Sequence, residues 1–258
     1  ARAEVGPGGR RDVQQRDDIT LFRNRTASWD LSFTHEPRVA AGQQLLWGGG
    51  LRAASDENRT SLFVRFDPAN RRLHWANLFA QHQLQWNQWQ FTAGAKLEHN
   101  SYTGLEVLPT LRVAYQHAER SSTWAALSRT VRAPARIDRE FFLPGNPPFL
   151  IEGGPGFESE VATVLEAGHR GGLGRDLSYS ATVFRQHYRG LRAGLGFPAQ
   201  IANRIEGNAD GLEAWGQWQP AEFARLSVGA LVLRKDLRFS DGTTDAGSIG
   251  HLGNHPRH

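Results

Sequence analysis

Residues 132–158 hold the densest group of side chains able to bind a charged ligand. Guanidinium groups form charge-assisted hydrogen bonds with anions, and aromatic rings stack on flat ligands. Glycine and proline residues, including Pro147 and Pro148, make the segment irregular, and irregular loops on rigid scaffolds commonly carry recognition. The segment therefore predicts a binding loop for an anionic ligand; the alternative is a loop that only packs on its neighbours. Its candidate ligand contacts are Arg132, Arg136, Arg139, Glu140, Phe141 and Phe142.

Five further charged residues lie in stretches where polar and apolar residues alternate. Because side chains in a strand point to opposite faces in turn, the alternation places these charges on the polar face of their strands. They either contact another segment of the protein or fill a water-filled interior, and the second interpretation is favoured. The five residues are Lys96, Glu98, Arg112, Glu166 and Glu213.

A metal site and a catalytic site are both unexpected. His251, His255 and His258 are closely spaced, but zinc sites need ligands held by neighbouring groups, and no acidic residue stands near them in the sequence. The chain has no cysteine, which excludes disulfides and thiolate sites. No carboxylate is combined with a base and an anion cradle in one loop, so we expect neither catalysis nor a cofactor.

The charge distribution argues against a nucleic-acid partner. The formal net charge is +4 at pH 7, but basic residues are interspersed with acidic ones along the whole chain. Nucleic-acid binding requires a basic stripe on one face. We therefore expect no nucleic acid to bind.

The elements that must position these residues are β-strands. In residues 89–98 every second residue is apolar, from Trp89 to Leu97, and the residues between them are polar, charged or glycine. No window keeps an apolar face at helical spacing over three turns, and only a short helical turn is expected near 134–142. The pattern predicts an all-β fold. Strands are predicted near 20–35, 44–55, 73–84, 89–100, 105–116, 122–132, 159–170, 177–188, 203–218 and 224–236.

Strand length and connection length together favour a membrane barrel. Several predicted strands exceed the roughly 9–11 residues that a tilted strand needs to cross a bilayer. Short and long connections alternate, except at 101–104, as in up-and-down barrels with short periplasmic turns and long outer loops. Tryptophans near strand ends fit an interfacial girdle. Short connections are predicted near 37–43, 85–88, 117–121, 171–176 and 219–223, and long ones near 56–72, 133–158, 189–202 and 237–258.

Several motifs in order resemble the barrel of TonB-dependent outer-membrane receptors. The similarity is carried by Phe91–Asn100 (FTAGAKLEHN), Tyr102-Thr103-Gly104, Leu108–Arg112 (LPTLR) and Trp124–Pro134 (WAALSRTVRAP). Later elements that fit are Glu160, Glu166-Ala167-Gly168, Gly211-Leu212-Glu213 and Asn254–His258 (NHPRH). Each motif is weak alone, whereas their order and spacing are fairly specific.

The resemblance implies more than the spacing does. It implies a barrel of 22 strands closed by an N-terminal plug, in the outer membrane of a Gram-negative bacterium, surrounded by lipid and lipopolysaccharide. It also implies active uptake of a ferric siderophore, haem or cobalamin, with energy supplied by TonB through the plug. Neither the plug nor the terminal strand is recognisable in the sequence. We therefore expect residues 1–258 to form one partial barrel domain, an antiparallel up-and-down transmembrane segment of about ten strands.

Two other functions remain open on the sequence. A passive outer-membrane channel or porin would share the strand pattern but need no plug. A soluble all-β binding protein would turn the apolar faces inward to form a core.

Overall fold

The computed structural model describes residues 22–174 and 176–240, which form one sheet of thirteen strands and a single short helix, α1. Helix α1 spans Arg136–Arg139. The strands are β1 (Arg23–His35), β2 (Gln43–Arg59), β3 (Arg65–Phe66), β4 (Asn70–Trp86), β5 (Trp89–Asn100), β6 (Gly104–Ala118), β7 (Ser121–Arg132), β8 (Phe141–Leu143), β9 (Ile151–Glu152), β10 (Glu160–Leu173), β11 (Leu177–Leu195), β12 (Ala199–Ala221) and β13 (Ala224–Phe239).

Ten long strands form an antiparallel meander in chain order: β1, β2, β4, β5, β6, β7, β10, β11, β12 and β13. Their lengths run from 12 residues in β5 to 23 in β12. Every one of the ten strands predicted from periodicity is present, and the helical turn expected near 134–142 is α1. Among the described residues β1 does not pair with β13, so the barrel is not closed.

The two ends of the sheet differ. At one end, here called the turn end, strands are joined by short connections such as 87–88, 119–120 and 222–223. The opposite end, called the loop end, carries the long connections 60–69 and 133–159. The short strands β3, β8 and β9 lie within these two loops, and β9 pairs in parallel with β12. The two loops are thereby joined to each other and to the sheet, which the sequence did not predict.

The long connection predicted near 189–202 is wrong. Strands β11 and β12 continue through most of it and leave only residues 196–198 between them. Gly190 adopts a φ of 66°, and its carbonyl accepts a hydrogen bond from the Asn203 side-chain amide at 2.6 Å. This glycine lies at the register shift between Tyr188 and Leu191, where a bulge allows pairing to resume. A glycine-rich sequence that resembled a loop is therefore a bulged hairpin.

One face of the sheet carries exposed apolar side chains on all ten long strands. In residues 89–98 of β5 the apolar positions are exposed, whereas the alternate positions are half-buried. Soluble proteins rarely expose an apolar surface of this extent. The row, here called the apolar face, contains Leu31, Leu51, Leu78, Leu97, Leu111, Leu127, Leu165, Val183, Leu212 and Val232, each more than 40% exposed.

The sheet has no packed apolar core. Only Leu73, Phe157, Ala193, Ile201, Ile205 and Ala209 are buried apolar residues in the described part of the chain. Within residues 22–174 and 176–240 no second sheet covers the apolar face, so the arrangement of this part differs from a soluble sandwich. No described helix is long and apolar enough to cross a membrane.

Aromatic residues collect on the apolar face near the turn end. Trp86 lies opposite Trp89, and Trp89 lies opposite Tyr115, whose ring centroid is 4.8 Å away. By contrast, Trp124 pairs with Ala114 and lies on the other face. Trp86 and Trp89 therefore lie on the face where a girdle is expected, Trp124 does not, and the girdle itself stays a prediction.

The apolar face predicts a strong effect of charge. Ala93→Arg, in the middle of β5 on this face, should destabilise the full-length protein in a bilayer by about 2–4 kcal/mol, because the charge would enter hydrocarbon. Thr92→Arg, on the opposite face of the same strand, is the matched control and should cost about 0.5 kcal/mol or less. Denaturant titration in lipid vesicles measures both, and equal losses would contradict a lipid-facing assignment.

Candidate functional site

The loop 133–159 is the candidate binding segment, and its first turn is organised by Asp138. The Asp138 carboxylate accepts a hydrogen bond from the backbone N–H of Ala135 at 2.9 Å, which caps α1. Glu140 is the C-cap of α1, and its backbone N–H donates to the Arg136 carbonyl at 2.8 Å. The chain then enters β8, which pairs with β3 and β9.

Arg136 is buried among acceptors. Its Nε donates to Glu140 Oε2 at 2.7 Å, and its Nη1 donates to Asp56 Oδ2 at 2.8 Å. The carbonyls of Pro68 and Ala69 accept further hydrogen bonds from it. The side chains of Arg136 and Glu140 are only 6% and 7% exposed. Burial lowers the pKa of Arg136, but the hydrogen bonds and charges of the two carboxylates together outweigh burial and raise it.

Asp138 connects the loop to two long strands. Its carboxylate is about 1% exposed, and Oδ2 accepts a hydrogen bond from Arg132 Nη1, at the end of β7, at 2.9 Å. Arg192 of β11 places its Nε 3.4 Å from Oδ1, an ion-pair distance without a hydrogen bond. Arg132 also pairs with Glu160, the first residue of β10. The loop is therefore held by charge to β7 and β11.

Two arginines stack on Tyr102, in the turn between β5 and β6. The guanidinium carbons of Arg71 and Arg139 lie 5.4 and 5.2 Å from the ring centroid. The Tyr102 hydroxyl donates to Glu140 Oε1 at 3.2 Å. Burial raises the pKa of Tyr102, and the charge of Glu140 and this hydrogen bond raise it further. Tyr102 therefore stays a neutral donor at physiological pH.

These residues line a small polar cavity of about 270 Å³ at the loop end. Asp67 and Pro155 also line it, and the Pro155 carbonyl accepts a hydrogen bond from Arg139. Arg71 Nη1 lies 3.2 Å from Glu140 Oε1. Both arginines in the cavity thus already have partners in this arrangement, and a ligand must compete with those partners.

The two predicted aromatic contacts are half-buried in an aromatic cluster. Phe141 packs edge-on against Phe66, with centroids 5.6 Å apart. Phe142 lies 5.1 Å from Phe149, and the Arg65 guanidinium is 4.8 Å from the Phe142 centroid. The cluster joins β3 to β8, so these rings support the loop.

Glycines allow the loop to lie close against its neighbours. A Cβ at Gly154 would sit 1.7 Å from the Ile201 carbonyl oxygen of β12, and one at Gly145 would sit 1.9 Å from the Ser61 carbonyl oxygen. Backbone atoms cannot be displaced cheaply, so any side chain at these positions forces the loop away. Gly156, two residues after Gly154, differs, because a Cβ added there would have no atom within 4 Å.

The structure brings together all six residues predicted from the loop, but in unlike environments. Arg136 and Glu140 are buried in ion pairs, Phe141 and Phe142 are in the aromatic cluster, Arg139 lines the cavity and Arg132 is half-exposed. Their contact with a ligand stays a prediction. Sequence reasoning missed Asp56, Arg71, Tyr102 and Arg192, because these partners are distant in sequence: Asp56 is 80 residues from Arg136.

The five charges predicted for the polar face of the strands share one face of the sheet. Arg112 and Glu166 lie opposite Ala126 on either side, and Glu166 lies opposite Phe184. Lys96 Nζ is 2.6 Å from Glu98 Oε2, so these two charges neutralise each other. Glu213, two residues beyond the partner of Phe184, shares the face. This face, opposite the apolar face, is here called the polar face.

No group of three His, Asp or Glu side chains that could hold a metal ion occurs in residues 22–174 and 176–240. His251, His255 and His258 lie outside the described residues.

Comparisons with known proteins identify the fold as a receptor-type β-barrel. A family model described as TonB dependent receptor-like, beta-barrel, matches residues 2–258. No curated protein sequence matches the chain. The structure is similar to that of the siderophore receptor PirA from Pseudomonas aeruginosa, with a TM-score of 0.71 and 17% identity, over 82% of this chain and 43% of that one.

Two further solved structures have the same fold. The FrpB iron transporter from Neisseria meningitidis gives a TM-score of 0.66 at 15% identity, over 86% of this chain and 38% of that one. A point mutant of the ferric enterobactin receptor PfeA from Pseudomonas aeruginosa, in complex with enterobactin, gives a TM-score of 0.62 at 16% identity, over 83% of this chain and 36% of that one. The chain therefore spans less than half the length of these proteins.

The buried ion cluster predicts that the loop depends on Arg136. Arg136→Ala leaves the carboxylates of Asp56 and Glu140 without their cation, and breaking a buried pair in this way costs about 3–5 kcal/mol. Hydrogen exchange of backbone amides in residues 133–159 should accelerate accordingly in the full-length protein. Arg185→Ala, which removes an exposed arginine paired with Asp210 at 3.4 Å, should change exchange little. Unchanged exchange in Arg136→Ala would show that the cluster does not hold the loop.

The close backbone approach predicts a second, steric effect. Gly154→Ala should push the loop away from β12 and destabilise it by about 1–3 kcal/mol, as overpacking does. Limited proteolysis of the intact protein should then cleave the loop faster than in the parent protein. Gly156→Ala adds the same methyl group where space is open and should leave cleavage unchanged. The idea fails if the two variants are cleaved alike.

Proposed function

Because the chain belongs to the TonB-dependent receptor-like β-barrel family, we propose that it forms part of a receptor for active uptake of a scarce ligand across the outer membrane. The ligand class we favour is a ferric siderophore, with haem and cobalamin as further members of the set. The family and the similar solved structures are transport receptors and not enzymes.

One observation supports a membrane receptor most strongly. All ten long strands expose an apolar residue on the same face, while the opposite face carries charges and amides. This is the pattern of a barrel wall between lipid and an aqueous interior. A soluble all-β binding protein would need a second layer over the apolar face, which the described residues lack.

We assign residues 1–258 to one partial barrel domain of the longer receptor. In this proposal the loop end faces the cell exterior, the turn end faces the periplasm, and the apolar face contacts lipid and lipopolysaccharide. TonB would act on the plug, outside this chain. Lys96, Glu98, Arg112, Glu166 and Glu213 would line the lumen and either fill it or contact the plug.

We further propose that the loop 133–159 contributes to ligand recognition at the exterior. Arg139 and Tyr102 line the cavity at the loop end, and Arg132, which is half-exposed, pairs with Asp138 of the same loop. Guanidinium groups and aromatic rings suit an anionic ligand with flat groups. Arg136 and Glu140, buried with Asp56, would hold the loop in position, with Phe141 and Phe142 supporting it from the aromatic cluster.

Uptake by the full-length receptor tests the proposed function. A deletion of the whole gene should abolish accumulation of one radiolabelled ligand from a panel of ferric catecholates, ferric hydroxamates, haem and cobalamin. A plasmid with the full-length gene should restore accumulation only in cells with working TonB, because transport against a gradient needs that energy. Restoration without TonB would indicate a passive channel, and no effect on any ligand would contradict uptake of this class.

A further inference from the structure

The apolar face contains a groove of about 520 Å³ that crosses from β1 to β6. Its floor is at Gly49 of β2, where a Cβ would meet the Asn77 carbonyl oxygen at 2.7 Å and Leu78 Cδ2 at 2.8 Å, so no side chain fits. Its volume falls within the range of small-molecule sites, roughly 300–1,000 Å³. Apolar side chains form its walls: Leu31, Phe33, Leu51, Leu78, Leu97 and Leu105.

Completion of the barrel would leave this groove open. The strands that line it, β1, β2, β4, β5 and β6, are consecutive neighbours in the described sheet. Further strands can join only at the edges of that sheet, and a plug would lie on the side of the polar face. The groove is on the apolar face, which the proposed function places against lipid.

The outward positions change from apolar to polar at one level, on the loop-end side of the groove. On β1 the last apolar position towards the loop end is Ala27, and the next outward residue is Arg25. On β4 the last apolar position is Ala76, and His74 and Arg72 come next. In a barrel wall such a boundary marks the depth at which hydrocarbon gives way to lipid headgroups.

Arg25 and Arg72 supply cations at this boundary. Both are exposed, and neither forms an ion pair with a carboxylate within residues 22–174 and 176–240. Glu57 lies opposite Arg25, so two cations face one acid and positive charge is in excess. Arg72 lies opposite Ser55, which is about 13 Å along β2 from Leu51 in the groove wall. An arginine side chain at that distance reaches the headgroup of a lipid whose chain lies in the groove.

Trp29 lies between the groove and the arginines. It is 59% exposed, and it lies opposite Ala53, which in turn lies opposite His74. Tryptophan is enriched at the level of lipid headgroups because its ring is apolar and its N–H is polar. The surface therefore presents a groove, an indole and two cations in order along the strands. An acyl chain, an ester region and a phosphate follow in the same order along a lipid.

We infer that this surface, here called the lipid site, binds one phosphorylated glycolipid of the outer leaflet, as in the membrane anchor of lipopolysaccharide. One acyl chain lies in the groove. Arg25 and Arg72 bind a phosphate through charge-assisted hydrogen bonds, which the planar guanidinium group forms in pairs. The inference rests on the proposed function, because the loop end must face the cell exterior.

Photocrosslinking in the full-length receptor tests the lipid site. The photoreactive residue p-benzoylphenylalanine replaces Ala53, and the protein is placed in phosphatidylcholine vesicles that contain either bisphosphorylated lipid A or its dephosphorylated form. Mass spectrometry then measures the crosslinked lipid. The phosphorylated form should crosslink about tenfold more, and R25Q/R72Q should remove this preference. Arg185→Gln is the matched control and should keep it, because Arg185 is an exposed arginine already paired with Asp210 at 3.4 Å.

A second variant tests the groove separately from the charge. Ala76 lines the groove, so the ring in Ala76→Phe should fill it and lower crosslinking of both lipids, with the preference for phosphate retained. Ala80→Phe adds the same ring on the same face of β4 outside the groove and should leave crosslinking unchanged. Folding of each variant is checked by its resistance to detergent before boiling.

Three results would overturn the inference: equal crosslinking of the two lipids, a preference that survives R25Q/R72Q, and unchanged crosslinking in Ala76→Phe. Ligand uptake is measured separately. A receptor that enters vesicles and transports its ligand without a lipid preference would contradict only the lipid site. A protein that does not enter vesicles would contradict the membrane barrel and the lipid site together.

Discussion

The rest of the structure depends on backbone pairing between neighbouring strands in chain order. Ten strands each hydrogen-bond to the next, from β1 to β13, and no described layer packs on them. In a bilayer every backbone N–H and C=O must find its partner within the protein, and antiparallel pairing satisfies them without a core. Side chains are thereby released from packing: those on one face can be apolar and exposed, and those on the other can carry charge.

That freedom explains why the two ends of the sheet differ in their electrostatics. At the loop end, chain segments distant in sequence meet and must stay together, and buried ion pairs join them: Arg136 to Asp56, and Asp138 to Arg132. At the turn end tight connections already fix the strands. The arginines there are not needed for that purpose, and Arg112 and Arg170 rest on neutral partners.

The strands were predictable from the sequence because their signal is local. Alternation in residues 89–98 gave the strand and both of its faces, since the side-chain period of two needs no distant information. The Arg136–Glu140 pair, four residues apart on a short helix, was within reach of the same reasoning. The partners Asp56, Tyr102 and Arg192 were not, because only the fold brings them to the loop. The bulge at Gly190 was also hidden, since a glycine that continues a strand and one that ends it have the same sequence signature.

The unusual length of β12 has a mechanical consequence. Its 23 residues would extend roughly 75 Å at about 3.3 Å per residue, well beyond the hydrocarbon thickness of a bilayer. The hairpin of β11 and β12 therefore extends beyond the bilayer beside the loop, and the backbone hydrogen bonds between its two strands make it rigid. Two contacts join the loop to this hairpin. The Ala199 N–H donates a hydrogen bond to the Leu150 carbonyl at 2.8 Å, and Asp138 forms an ion pair with Arg192. A displacement of the loop must break this hydrogen bond and this ion pair together. The loop would therefore move in one cooperative step and would not flex gradually.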